Sequence, residues 1–397
     1  MRMVRTFHPV GHGAFYTEFF NFDYHEKEQV SFRVVYDCGT KTSKKLVNPQ
    51  MVIKDAFNDG EDIDILFISH FDKDHVSMIQ ELLKDNRKVK NAVLPLLSKE
   101  DEAILLALYS DERNEIGYKL LDDPASVLGK DTTIIYIEPS DSESDNGRER
   151  RSPDYPENFI NNPDNSEDID IIDPNGKRVK LHSGRIVNVP SGTVLSLSHF
   201  FWCYIPHNYK YQEQHDKLLN ILESKGIDQN KLSDTRYIDT NRKKLNEIYN
   251  LLEENINVNS MIVYSGPTKL KIYNSKFHFE IFSDWPRYII NPACIFSGDS
   301  DFKKVKIHEI YKEFWDKVGT IQIPHHGSNH NFSSDFLEES KLCFFCPISV
   351  RSGDAKHPAS TVTKEISTHH SIPIIVDENE DSKLIQTVWD NPCWDNT

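Results

Sequence analysis

The chain has 397 residues, 38% of them hydrophobic and 27% charged, which is the balance of a soluble globular protein with room for a sizeable core. Its net charge of −16 argues against broad, charge-driven adhesion to nucleic acid or anionic membrane, while leaving room for a local basic groove. No apolar run approaches the roughly 20 residues of a bilayer span, and the opening MRMVRTFHPVGHG lacks the apolar stretch of a secretory signal, so the expected location is cytoplasmic, away from any membrane.

The first forty residues read as β-rich: GAFYTEFFNF pairs with FRVVYDCGT across the polar HEKEQ connection. Helical spacing follows near Asn48 to Phe57. DIDILFI is a short, nearly continuous apolar run, as in a strand buried on both faces. After HFDKDH, VSMIQELLKD has helical periodicity, with Asp74 as its expected N-cap. NAVLPL reads as a strand and KEDEAILLALYSDE as a helix. Residues 139–175 are acidic and rich in Ser, Pro and Asn, which reads as a flexible surface insertion. VKLHSGRIVNVPSGTVLSLSHFFWCYIP gives two or three antiparallel strands, and 208–254 a helical insertion. Strands NSMIVYS, KLKIYN, HFEIFS and CIFSGDSD precede a helix over VKIHEIYKEFWDKV and a strand at TIQIPHHGS. A short helix at FLEES, a strand at LCFFCPISV, a helix at STVTKEISTHH and strands IPIIVDE and LIQTVW complete the chain. No internal repeat is visible, and the two β-then-α halves point to one α/β domain over 1–397, with helices outside layered sheets. Six cysteines are scattered, and the close pair in LCFFCP reads as strand packing.

Ligand-type residues recur at strand ends. Asp37 follows FRVVY; His70, Asp72, Asp74 and His75 follow DILFI; Asp299 follows CIFSG; His325 and His326 follow TIQIP. Loops at strand ends are held by a rigid scaffold and stay accessible, which suits demanding coordination geometry. His70 and Asp72 are two apart and can converge on one cation; the adjacent Asp74 and His75 point toward a second. Two cations roughly 3.5 to 4 Å apart clamp a displacement at phosphorus or carbonyl and need a bridging carboxylate, for which Asp299 is the natural choice. Taken alone, Asp37 is an ordinary turn former and the His-His pair an ordinary loop feature. HFDKDH is the specific signal.

These residues resemble the metallo-β-lactamase fold, whose signature is H-x-H-x-D-H; Asp72 stands here at the second histidine. With SGD at Asp299 and PHHGS from Pro324 to Ser328, the set resembles the ComEC-like metallo-β-lactamase domain. PVGHGAFYTEF (with Ala14 where that group has Asp), YDCGT, NVNSMIVY and KHPASTV add matches in order, spread from about residue 9 to 378, with poor matching over about 80–185 and 208–250. The resemblance implies an αββα four-layer sandwich with surface insertions. It places His70 and Asp72 on one metal, Asp74, His75 and a PHHGS histidine on the other, and Asp299 between them. His325 is favoured, being nearest its strand end, with His326 the alternative. The family's further histidine is missing: Asn259 holds the corresponding place, and His199 in SLSHFF is a conceivable substitute that reads as packed within a strand. Asp72 makes the first site oxygen-rich, so the expected cofactors are two divalent cations, Mn²⁺ or Zn²⁺.

Neither a G-x-S-x-G elbow nor a P-loop occurs, so water activated on the cations, as metal-bound hydroxide, is the simplest nucleophile. Asp74 would orient it and take its proton, His357 would steady a leaving oxygen, and Lys356 and Ser328 would contact substrate. The leading expectation is a dinuclear phosphodiesterase or nuclease acting on nucleic acid or nucleotides. The alternatives are hydrolysis of a lactone, thioester or lactam, and a catalytically degenerate scaffold that binds a protein partner, for instance in a multi-component defence system.

Overall fold

The computed structural model describes residues 1–24, 28–112, 114–140, 169–197, 201–252, 260–268, 273–279, 291–338 and 343–390. Asn259, His199, Cys393 and most of the 139–175 segment lie outside them. In chain order the first elements are β1 Arg2–Phe7, β2 Gly13–Tyr24, β3 Glu28–Thr40, α1 Pro49–Ala56, β4 Ile63–Phe67, α2 Lys73–Val76, α3 Ile79–Leu82, β5 Val89–Pro95, α4 Lys99–Glu112, α5 Glu115–Asp122, α6 Pro124–Leu128 and β6 Thr133–Ser140. Next come β7 Asp170–Ile172, β8 Arg178–Val179, β9 Ile186–Pro190, β10 Val194–Leu197, β11 Trp202–Tyr209, α7 Gln212–Ser224, α8 Thr235–Leu251, β12 Ile262–Pro267, β13 Tyr273–Phe279 and β14 Ala293–Phe296. The last are α9 Ile307–Ile310, β15 Val318–Ile321, α10 Asp335–Glu338, β16 Phe345–Ser349, α11 Ser360–Thr368, β17 Ile372–Val376 and β18 Leu384–Asp390.

The strands make a mixed α/β architecture with two runs. The first run is ordered β13-β18-β1-β2-β3-β4-β5-β6-β9, antiparallel as far as β3 and parallel beyond it. The second is β8-β7-β10-β11-β12-β14-β15-β16-β17, parallel from β14 onward. A parallel pairing of Asn208 and Tyr209 with Pro139 and Ser140 joins the two.

Alternation along each strand sorts the side chains. Ile65 and Phe67 of β4 join Phe7, Tyr16, Trp202, Tyr204, Val263 and Phe296 in a cluster shared by both runs. Leu66, between them, packs with Val35, Ile134, Ile53, Ile104, Leu120, Leu218 and Ile248, so helices α1 to α8 cover the first run. Ile262, Ile295, Ile321 and Ile348 pack with Ile307, Phe336, Val362 and Ile366, so α9 to α11 cover the second. Each such large apolar side chain contributes roughly 1.5–3 kcal/mol of transfer free energy, which is why these runs dictate the layering.

Local chemistry explains the boundaries. Asn48 accepts from Gln50 N at 3.1 Å ahead of Pro49, which fixes the start of α1. The helix expected over VSMIQELLKD breaks into α2 and α3, and Asp74 is not its N-cap but lies inside α2, after Asp72. The cause is anchoring to β3: Met78 N donates to Cys38 O at 2.9 Å and Ser77 Oγ donates to Thr40 O at 2.9 Å, while the Asp74 carboxylate pairs with His326 Nε2 at 3.2 Å. The helix expected over VKIHEIYKEFWDKV is likewise only α9 followed by a 3₁₀ segment, Lys312–Lys317. It breaks at buried Tyr311, whose hydroxyl donates to Ile205 O and Ile262 O at 3.0 and 3.2 Å. One strand expected in an antiparallel group, β9, instead lies parallel to β6.

His8 is buried beside β2, its Nε2 2.9 Å from Thr17 Oγ1 and its ring stacked on Phe15. Burial holds its pKa down to about 3. The folded state therefore binds fewer protons here than the unfolded chain, and stability is lost as pH falls below about 6.5. At pH 5 this single group is expected to cost roughly 2 kcal/mol relative to pH 8. Urea unfolding of His8→Phe at both pH values should show a correspondingly smaller difference between them.

Candidate metal centre

The site is assembled from the ends of four strands, and the imidazoles are aimed from behind. Asp37 is the extra residue of a β-bulge: Phe15 faces Cys38 and Tyr16 faces Tyr36, leaving Asp37 unpaired at φ 53°. Its carboxylate accepts from Ser69 N, Ser69 Oγ and His75 Nδ1, each at 2.7 Å. His70 Nδ1 lies 3.0 Å from both Ser69 Oγ and Ser260 Oγ, and His326 Nδ1 is 2.7 Å from Ser349 O. Fixing Nδ1 in this way sets the ring orientation and leaves Nε2 as the outward-facing donor atom, as in histidines that bind metals.

Those Nε2 atoms converge on carboxylates. His75 Nε2 is 3.3 Å from Asp299 Oδ1, His70 Nε2 is 3.7 Å from Asp299 Oδ2, and His326 Nε2 is 3.2 Å from Asp74 Oδ2. Three sets of donor atoms lie within 4.8 Å of one another: His70, His75 and Asp299; His70, Asp72 and Asp74; and His12, Asp74 and His326. The Nε2 atom of His70 is buried without a hydrogen-bond partner, its nearest Asp299 oxygen 3.7 Å away. Such an orphaned atom costs free energy unless something else satisfies it, and a divalent cation among imidazole nitrogens and carboxylate oxygens does so. The donor set therefore fits the expected group.

The charges tell the same story. Burial pushes the Asp72 carboxyl up to about 7, with the Asp74 charge adding to it. Burial also opposes ionisation of Asp74, yet the hydrogen bond from His326 and the charges of His75 and Lys41 hold that carboxyl below its usual range. Asp299 too is held low despite burial, by His325 and His75. Burial, reinforced by His75, keeps His70 neutral, the form a ligand needs.

The sequence-predicted residues are placed as follows. His70, Asp72, Asp74, His75 and Asp299 come together, and Asp37 stands behind His75. Of the His-His pair, His326 is the one beside Asp74, whereas His325 points its Nδ1 at Asn331 Oδ1, 3.0 Å away. Both take left-handed backbone, φ 47° and 56°, and that turn sends the two rings in different directions. His357 sits nearby, its ring 6.2 Å from those of His325 and His12. Lys356 is exposed, its backbone N donating to Asp354 Oδ1. Ser328 is buried and its Oγ accepts from His330 N within the turn.

Sequence reading passed over three neighbours. Lys41 Nζ lies 2.9 Å from Asp74 Oδ1 and 3.9 Å from Asp72 Oδ2. Tyr109, from α4, donates to Asp72 Oδ1 at 2.8 Å. His12 packs its ring against His326, with centroids 3.8 Å apart, and burial lowers its pKa to about 4. Only the two glycines around His12 hinted at a special backbone there. A separate cavity of about 440 Å³ opens at the opposite ends of β4, β5 and β6, where Lys90 Nζ lies 2.7 Å from Asp64 Oδ1.

No protein-family model matches the chain, and no curated protein sequence does. Among solved structures, a long-form RNase Z from yeast is similar at 10% identity with a TM-score of 0.31, over 98% of this chain and 42% of that one. The chain thus spans less than half of that protein's length, and a likeness at this level leaves the function to the chain's own geometry. Among the described residues no helix is long and apolar enough to cross a membrane.

Proposed function

We propose that the protein is a metal-dependent hydrolase of the metallo-β-lactamase type, ComEC-like in its motifs, acting as a dinuclear phosphodiesterase or nuclease on nucleic acid or nucleotides. The observation that carries this is the convergence of three imidazole Nε2 atoms, each anchored at Nδ1, on Asp72, Asp74 and Asp299. The helix, strand, strand, helix order of the layers supports the αββα reading. His70 and Asp72 would hold one cation and Asp74, His75 and His326 the other, with Asp299 facing both His70 and His75 as the bridge. Two divalent cations, Mn²⁺ or Zn²⁺, would neutralise developing charge and bring the pKa of water toward 7.

The protein's own groups do the rest. Asp74, kept ionised by His326, His75 and Lys41, would coordinate and would orient the water. Asp37 keeps the His75 ring in line through Nδ1. His357, half-buried, would steady a leaving oxygen, and exposed Lys356 would supply charge for a phosphate.

Lys41 favours a second reading. An ammonium 2.9 Å from Asp74 gives the carboxylates an internal cation, as a non-catalytic scaffold would retain. Bis-p-nitrophenyl phosphate, single- and double-stranded DNA, RNA and cyclic dinucleotides, each tested with Mn²⁺, Zn²⁺ or chelator, separate the two. Turnover that needs the metal and stops with chelator is the expected result. Full metal occupancy with every ester intact would replace the hydrolase by the scaffold.

A further inference from the structure

The loop between β1 and β2 is built to hold one imidazole in place. His12 N donates to Thr42 Oγ1 at 2.9 Å, and His12 O accepts from Lys41 N at 2.8 Å. The glycines on either side leave no latitude. Gly11 has φ +65°, and a Cβ on it would lie 2.5 Å from Thr42 Oγ1. A Cβ on Gly13 would lie 2.3 Å from Gly39 O, inside the β2–β3 pairing. Any side chain at either position would push the loop off β3 and withdraw the ring between them. The ring so held is one-quarter exposed, with Nε2 3.9 Å from Asp74 Oδ2, and its donor atom is within 4.8 Å of those of Asp74 and His326.

Packing alone does not ask for this construction. A ring that only filled space would tolerate an apolar substitute and would not need its nitrogen turned toward a buried carboxylate.

We propose that His12 is a metal ligand, completing with Asp74 and His326 a three-donor site for a divalent cation. This rests on the metal-centre reading above and adds a donor, from the first loop of the chain, that the motif set does not contain. It adds His12 to the donors of the second cation, beside Asp74 and His326, and leaves the places of His70, Asp72, His75 and Asp299 as given above.

Calorimetric titration of the full-length protein with Mn²⁺ and with Co²⁺, together with the visible spectrum of the Co²⁺ form, tests this without reference to turnover. The wild type is expected to bind two equivalents. In His12→Ala and in the near-isosteric His12→Gln, one equivalent should weaken at least about 10-fold and the Co²⁺ absorption should change, as when a metal loses one of its protein contacts. Gly13→Ala, which keeps the imidazole but displaces its loop, should weaken the same equivalent. Two equivalents retained within about twofold in both His12 variants, with an unchanged spectrum, would overturn the assignment and leave the metal centre standing. A wild type that binds neither ion would instead remove the metal centre itself.

Discussion

Asp74→Ala is expected to lower kcat/KM at least ~10³-fold, or about 4 kcal/mol of transition-state stabilisation. Asp74 belongs to two of the three converging donor sets, so its loss depletes both halves of a cation pair. Its carboxylate is also the partner of His326 Nε2 and of Lys41 Nζ, so removing it frees both groups to drift. Some stability should be lost as well, because the Asp74 carboxylate is held ionised by His326, His75 and Lys41, so activity is compared under conditions where the variant is folded. The measurement is Mn²⁺-dependent hydrolysis of bis-p-nitrophenyl phosphate beside a urea unfolding curve. Activity within about threefold of wild type would remove Asp74 from the chemistry.

Glu18→Ala is expected to destabilise the protein by about 3–5 kcal/mol. Glu18 lies on β2, fully buried, where its carboxylate accepts from Arg5 Nε at 2.6 Å, Tyr204 OH at 2.5 Å and Ser265 Oγ at 2.8 Å. Arg5 is itself wholly buried and also donates to Gln386 Oε1 and Pro292 O. Arg5 and Gln386 come from the first run of strands, Tyr204 and Ser265 from the second, so the network ties the two faces together inside an otherwise apolar core. Alanine at 18 would leave a guanidinium in that core with no counter-charge, which is the costly case. The paired change Arg5→Met with Glu18→Leu removes both charges and is expected to recover most of the loss. If the double variant is no more stable than Glu18→Ala in chemical denaturation, the charge pairing is not what matters at this site.

How much of this was legible beforehand follows from the range of the interactions. The strand DIDILFI and the helix KEDEAILLALYSDE were plain because their signals are local periodicities. HFDKDH was plain because four donors in six positions have few structural uses. The orientation of those donors was not, since Ser69, Asp37, Ser260 and Ser349 come from different elements. Distance from the strand end, which favours His325, does not register the two successive left-handed residues that set the His325 ring against Asn331 and the His326 ring against Asp74. The Asp74 cap and the long helix at 305–318 failed for a related reason: tertiary contacts of Ser77, Met78 and Tyr311 outweighed helical propensity. Lys41 and His12 carry no meaning until β3 and the first loop are laid side by side.

HFDKDH, Asp37 and His12 lie on the first run of strands, while Asp299, His326 and Ser349 lie on the second, and among the described residues the direct strand pairing between the two runs is the short one between β6 and β11. A cation gripped from both sides therefore finds its complete set of ligands only when the halves are docked, and its affinity is added to their association through mass action. Ion availability would then govern how firmly the two runs stay together, giving any bound cation the part of a structural rivet.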